Sequence, residues 1–155
     1  MTGQEFASEA QALAPSLRRI ALSIVHSEHD AQDAVQQALL GVWERRERVD
    51  ASRLRAYLTR AVINACRDVQ RARMRSVPVD VMPERGYEPP DTALRDAVDA
   101  LPEKLRTPLL LHYMEGYSEK EIAQALRLSL PQLKSRLFRA RRKLKAMLTE
   151  EATKG

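Results

Sequence analysis

Between Ser76 and Asp91 the chain reads SVPVDVMPERGYEPPD, which holds four of its eight prolines and one of its five glycines and shows no helical periodicity. Proline removes a backbone donor and its ring clashes with the preceding turn, so no continuous helix crosses this stretch. The sequence on either side is of the opposite kind. It is rich in Ala, Leu, Arg and Gln, with few β-branched runs and no convincing strand, a pattern that favours helix. A length of 155 residues suits one ordinary domain or two small ones. The fold expected is all-α, with two small helical domains over 1–76 and 92–150 and a flexible proline-containing linker over 77–91. Neither half repeats the other.

In the first domain, apolar spacing predicts a helix over Ser8–His26. A second starts at Ser27 or His29 and runs through DAQDAVQQALLGVWERR, and a third runs from near Ser52 through RLRAYLTRAVINACRDVQRARMR. The loop ERVDAS joins the last two. The second domain is predicted to hold helices over Thr92–Ala100, Pro102–Glu115, Glu119–Leu126 and Leu130–Leu148.

Charge is distributed in blocks. The chain carries 26 Lys and Arg against 21 Asp and Glu, a net charge of +5. Residues 51–75 hold seven basic and one acidic residue, and residues 101–155 hold twelve basic and six acidic. Residues 28–50 (three basic, six acidic) and 76–100 (two basic, six acidic) are acidic. Two basic blocks separated by acidic ones point to two contact surfaces for a polyanion. Cys66 is the only cysteine, so no intramolecular disulfide forms and nothing argues for secretion. The start MTGQEFASEA is not a signal peptide, and no apolar run approaches the roughly 20 residues that span a bilayer. A soluble, cytoplasmic protein is expected, with no membrane contact.

Ser129–Leu148, SLPQLKSRLFRARRKLKAML, contains seven Lys or Arg and no acidic residue. On a helical wheel Leu133, Leu137, Ala140, Leu144 and Met147 cluster within about 40° of their centre. Gln132, Ser135, Arg139, Arg142 and Lys143 lie opposite, with Arg136 at the edge, and Lys134, Arg141 and Lys145 flank the other side. The alternatives are a solvated helix kept soluble by its charge and a face that meets a polyanion; the absence of acidic partners at i+4, which leaves the repulsion unrelieved, favours the second. Upstream, YSEKEIAQALRL carries a capping box, Ser118 with Glu121, and an apolar face of Ile122, Ala123 and Leu126. Then RLSLP breaks the helix, with Ser129 placed to cap the next one and Pro131 in its first turn. Two helices joined by so short a turn form a helix-turn-helix, whose second helix enters the DNA major groove. Gln132, Ser135, Arg136 and Arg139 reach bases in this reading; Lys134, Arg142, Lys143 and the later cations hold phosphates.

LPEKLRTPLLLHYMEGYSEKEIAQALRLSLPQLKSRLFRARRKL resembles domain four of bacterial RNA polymerase sigma factors of the extracytoplasmic-function group. The likeness runs through Leu101, Pro102, Glu103, Tyr113, Glu115, Gly116, Ser118, Glu121, Ile122, Ala123, Leu126, Ser129, Lys134 to Leu137, and Arg139 to Arg141. Other helix-turn-helix regulators share such a stretch, and the first domain decides between them. There DAQDAVQQALLGVW resembles the family's clamp-docking segment through Asp30, Ala31, Asp33, Val35, Gln36 and Trp43. LRAYLTRAVINACRDVQR resembles its promoter-reading helix through Leu54, Arg55, Leu58, Arg60, Asn64, Asp68 and Arg71. The resemblance covers nearly the whole chain. It implies binding to core RNA polymerase at clamp and flap, minus-ten reading by the first domain and minus-thirty-five reading by the second. It also implies capture of an unstacked base at the loop Glu47–Arg53, and by family habit an anti-sigma factor as a further partner. Departures are Arg127 at a turn position commonly Gly, Pro108 within a helical run, and Gln32, Gln37 and Leu39 where acidic or aromatic residues are frequent. Pro108 either kinks its helix or starts it with Thr107 as cap.

Wheel positions bear on these roles independently. Ala31, Val35, Ala38 and Val42 form one apolar side of the second helix. Asp33, Gln36, Gln37, Leu40 and Glu44 form the other, where a leucine among polar groups suits a protein contact. Trp43 sits at the margin of that face and is either contact or core. In the third helix Leu54, Leu58, Ala61, Val62, Ala65 and Val69 form the buried stripe, and Arg60, Asn64, Arg67, Arg71 and Arg75 a second stripe suited to a DNA strand. Asp68 serves either that surface or a local arginine pair. Two rivals remain: a stand-alone helix-turn-helix regulator, which leaves the first-domain surfaces unused, and a sigma mimic that binds an anti-sigma factor, which has no use for the basic face at 132–145.

Enzyme readings fail on inventory. His26, His29 and His112 are scattered, Cys66 has no neighbouring cysteine and reads as packing, and no glycine-rich phosphate loop exists. No catalytic residue, metal or cofactor is expected. Aromatics are scarce, with one Trp, two Phe and four Tyr. Strand melting should therefore depend on well-matched promoters, which pre-melted and duplex templates would distinguish.

Overall fold

The structure is a computed structural model that describes residues 1–75 and 92–154. The expected linker lies outside those residues. The chain forms two compact units that divide between Glu84 and Arg85. Among the described residues there are seven α-helices, two short 3-10 turns and no strand, as the composition required.

The first unit holds α1 (Gly3–Val25), α2 (Glu28–Glu44) and α3 (Leu54–Arg75). α1 begins at Gly3, earlier than the expected Ser8, because Thr2 and Glu5 form a capping box. The Thr2 hydroxyl accepts the Glu5 N–H at 3.1 Å and the Glu5 carboxylate accepts the Thr2 N–H at 3.2 Å, satisfying two otherwise orphaned donors. α2 starts where Ser27 caps it, its hydroxyl accepting the Asp30 N–H at 3.3 Å. Between α2 and α3 the expected loop winds into 3-10 turns at Arg46–Arg48 and Ala51–Arg53. Asp50 caps the second by accepting the Ser52 N–H at 3.1 Å, so α3 begins at Leu54 and not near Ser52.

Leu17, Ile20 and Ile24 of α1, Ala31, Val35 and Val42 of α2, and Leu54, Leu58, Val62 and Ile63 of α3 are all buried. Each large aliphatic side chain so placed contributes about 1.5–3 kcal/mol of burial. The end of α3 is also tied down by polar bonds. Gln70 donates to the Ile24 carbonyl at 3.1 Å, and Arg73 donates to the Val25 carbonyl at 2.7 Å while pairing with the Asp30 carboxylate. These bonds satisfy carbonyls that the last turn of α1 leaves open. Cys66 is fully buried, its thiol 4.0 Å from the Ala21 carbonyl, so it packs as expected.

The second unit holds α4 (Thr92–Asp99), α5 (Glu103–Tyr113), α6 (Glu119–Leu126) and α7 (Leu130–Lys154). α7 continues past the expected Leu148. α5 is shorter than Pro102–Glu115, because Pro102 stands at its N-cap. Pro108 lies inside α5, so the helix does not start at Thr107; the Thr107 side chain is buried and its hydroxyl has no hydrogen-bond partner. Arg106, also buried, donates to the Asp99 and Leu101 carbonyls at 3.2 and 3.1 Å, which fixes the turn between α4 and α5. Leu101, Leu105, Leu109 and Ala140 form a core cluster against which Val98, Leu144 and Met147 pack.

Candidate nucleic-acid interface

The helix-turn-helix is assembled by three local devices. Ser118 and Glu121 form the capping box of α6, with both reciprocal bonds at 3.1 Å. α6 ends at Arg127, which adopts a left-handed backbone (φ 55°, ψ 48°). Its N–H and that of Leu128 both return to the Ala123 carbonyl. This is the strained side chain that the departure from Gly foretold. The start of α7 carries a second reciprocal pair: Gln132 N–H to the Ser129 hydroxyl at 3.3 Å, and Ser129 N–H to Gln132 Oε1 at 2.9 Å.

α7 is held by its apolar stripe. Leu133, Leu137 and Ala140 are 0%, 1% and 0% exposed. Gln132, Lys134, Ser135, Arg139, Arg142 and Lys143 are exposed and Arg136 is half-buried, matching the wheel. Pro131, Gln132, Ser135, Arg136 and Arg139 line a shallow cleft of about 370 Å³ at the start of the helix. Arg141, on the flank, donates to the Tyr113 hydroxyl at 2.6 Å. Sequence reasoning passed over Phe138, which is 61% exposed on the cationic side. Its signal was available: an aromatic one turn from Lys134 and from Arg142 lies off the leucine stripe and has no core to enter.

In the first unit, Asn64, Arg67, Arg71 and Arg75 of α3 are exposed and Arg60 is half-buried. Arg71 meets Asp68 at 3.3 Å with both side chains more than two-thirds exposed, so Asp68 serves a local pair that holds Arg71 only weakly. Arg73, in the same basic block, is withdrawn from this face by its bonds to α1 and α2. Asp50, in the loop before α3, has its carboxyl held below the usual carboxylate range, first by the Ser52 N–H, next by the Ser52 hydroxyl, and lastly by the nearby Arg53 charge.

On α2, Asp33, Gln36 and Gln37 are exposed, and Leu40 is 64% exposed. Ala31, Val35, Ala38 and Val42 are buried beneath. Trp43 is 37% exposed; it meets Phe6 edge-on, and the Arg46 guanidinium lies 4.0 Å over its ring, so it belongs partly to the core. His29, Asp30 and Asp33 come together at the start of α2. Arg73 already engages Asp30, and His29 Nε2 lies 3.4 Å from the Asp33 carboxylate with both side chains exposed.

Two helical units, the second a helix-turn-helix whose outer helix is cationic, define a DNA-binding transcription protein. The Sigma-70, region 4 family model matches residues 91–144 and the Sigma-70 region 2 model matches residues 10–76. The RNA polymerase sigma-E factor of Streptomyces coelicolor is 34% identical over 93% of this chain and 86% of its own length. The protein of that name from Streptomyces antibioticus is 34% identical over 93% of this chain and 84% of its own. Among solved structures, the sigma factor RpoE of Bartonella quintana, crystallised with the anti-sigma factor NepR, is similar in fold with a TM-score of 0.76 and 24% identity over 94% of this chain and 98% of that one. CnrH, solved with the cytosolic domain of CnrY, gives 0.70 and 25% identity over 94% of this chain and 88% of that one. The chain belongs to the sigma-70 family of RNA polymerase sigma factors, in its extracytoplasmic-function group, and is an alternative sigma factor that directs transcription.

Proposed function

We propose that the first unit docks on the clamp of core RNA polymerase through Asp33, Gln36, Gln37 and Leu40 and reads the minus-ten element through Arg60, Asn64, Arg67 and Arg71. The second unit reads the minus-thirty-five element with α7, where Gln132, Ser135, Arg136 and Arg139 face bases and Lys134, Arg142 and Lys143 face phosphates; it also meets the polymerase flap. The observation that carries this reading is α7 itself: Leu133 and Leu137 are sealed at 0% and 1% exposure, and the cations around them turn outward in a stretch with no acidic residue from Leu130 to Thr149. A helix so anchored presents a fixed array of donors, which suits major-groove edges and phosphates. The exposed Leu40 among Asp33, Gln36 and Gln37 supports a protein contact on α2. The loop Glu47–Arg53 serves an unstacked base.

In this reading the chain carries no catalytic group; the polymerase makes the phosphodiester bonds, and the protein works in the cytoplasm where the polymerase is. No helix among the described residues is long and apolar enough to cross a membrane. An anti-sigma factor is a further partner, by likeness to RpoE. Run-off transcription with sigma-free core polymerase on a promoter library tests the whole. Selection of a two-part promoter is the expected result, and its loss in Asn64→Ala at the minus-ten element and in Arg139→Ala at the minus-thirty-five element would assign the two readings.

A further inference from the structure

A free glutamine offers a donor and an acceptor side by side, a pair that matches the N6 donor and N7 acceptor on the major-groove edge of adenine. Gln132, exposed on α7, does not have both halves of its amide free. Its Oε1 accepts the Ser129 N–H at 2.9 Å, while its own N–H donates to the Ser129 hydroxyl at 3.3 Å. The orientation is set by chemistry: a backbone N–H only donates, so the amide atom facing it must be the oxygen. That leaves Nε2, which only donates, for the cleft shared with Pro131, Ser135, Arg136 and Arg139. Most of its polar neighbours in the cleft have the same polarity, since the guanidinium groups of Arg136 and Arg139 donate and never accept, while the Ser135 hydroxyl does both.

Turning Oε1 away from Ser129 and toward a base would leave that N–H open at the first turn of the helix. We infer that Gln132, within the minus-thirty-five reading proposed above and resting on it, is a specificity-determining residue that acts through its outward Nε2 donor, with Oε1 turned to Ser129. Nε2 donates to a base that offers an acceptor in the major groove (guanine O6 or N7, thymine O4, adenine N7) and rejects cytosine, which offers only the N4 donor. Ser129 is its positioning residue.

The test uses the full chain with core polymerase and a promoter library randomised at the minus-thirty-five element, comparing wild type, Gln132→Ala and Gln132→Glu. The alanine variant locates the base pair that Gln132 reads. The glutamate variant keeps an oxygen for the Ser129 N–H, and so keeps the cap, while its outward atom changes from donor to acceptor. At the located base pair, wild type should disfavour cytosine about tenfold against the other three bases, and Gln132→Glu should turn the preference toward cytosine. The inference is overturned by cytosine preference in wild type at that base pair, by an unchanged preference in Gln132→Glu, or by selection elsewhere in the element with no base pair responding to Gln132→Ala. If wild type enriches no minus-thirty-five sequence at all, the proposed reading itself fails and the inference falls with it. Melting temperatures of the three proteins separate these results from a folding defect, because glutamate at this position still completes the cap.

Discussion

The hydroxyl of Tyr113 accepts a hydrogen bond from Arg141 Nε at 2.6 Å, and the same guanidinium lies 5.3 Å from the Tyr113 ring centroid. This contact joins the exposed end of α5 to the flank of α7 and sets the direction in which Arg141 offers its remaining donors. In the proposed reading those donors meet a phosphate. Arg141→Ala should weaken promoter binding across all sequences and lower the slope of log affinity against log salt by about one. Tyr113→Phe leaves the charge in place, so it should weaken binding about twofold to threefold with little change in slope. Titrations at several salt concentrations check both.

Two backbone positions in the second unit form a matched pair. Arg127 and Gly116 both have positive φ, at 55° and 71°. At Gly116 an added Cβ would meet nothing within 4 Å, so any penalty there is backbone strain alone. Arg127→Gly should stabilise the protein by about 1 kcal/mol and Gly116→Ala should destabilise it by about the same amount. For a domain of this size 1 kcal/mol corresponds to about 4–8 °C in Tm, within easy reach of calorimetry.

Arg73 links three helices through the Val25 carbonyl and the Asp30 carboxylate. With both partners of the ion pair partly exposed, the linkage is worth less than a buried charged bond. Arg73→Ala should destabilise the protein by about 1 kcal/mol in denaturant unfolding. DNA affinity should fall by much less than in Arg67→Ala, because Arg73 is turned away from the basic stripe of α3.

The reach of sequence reasoning follows the range of the forces involved. The stripe of Leu133, Leu137 and Ala140, the cap at Ser118 and the exposed Leu40 were legible because each depends on spacing along one helix. The positive φ at Arg127 was legible for a similar reason, from the turn chemistry of a short break. What escaped was tertiary or competitive. Nothing in the sequence says that Arg73 folds back on α1 while Arg67 does not. The Thr2–Glu5 box was passed over because the helix start was sought at the later serine. Gln132 reads from sequence as a base-contacting amide, and its part in the cap was passed over although Ser129 and Gln132 have the same spacing as Ser118 and Glu121.

Asp50 gives the first unit a pH signature. Bonds from Ser52 and the Arg53 charge hold its folded carboxyl below the unfolded value. Its contribution is therefore complete above the ordinary carboxylate range, near pH 4, and is lost as pH falls below that through the folded value. Asp50→Asn keeps an acceptor for the Ser52 N–H but removes the charge. Wild type should melt above this variant at pH 7, and the gap should close as the pH is taken below about 4. A gap that stays constant with pH would show that the charge contributes nothing.

The most direct test of the central claim is the dissociation constant for sigma-free core RNA polymerase, measured for wild type, Asp33→Arg and Leu40→Arg. Both substituted side chains are exposed, so neither change should disturb folding. Tight binding by wild type, weakened at least about tenfold by each substitution, is the expected result. No binding at micromolar concentration, or binding that neither substitution alters, would contradict the assignment of this face of α2 to the polymerase.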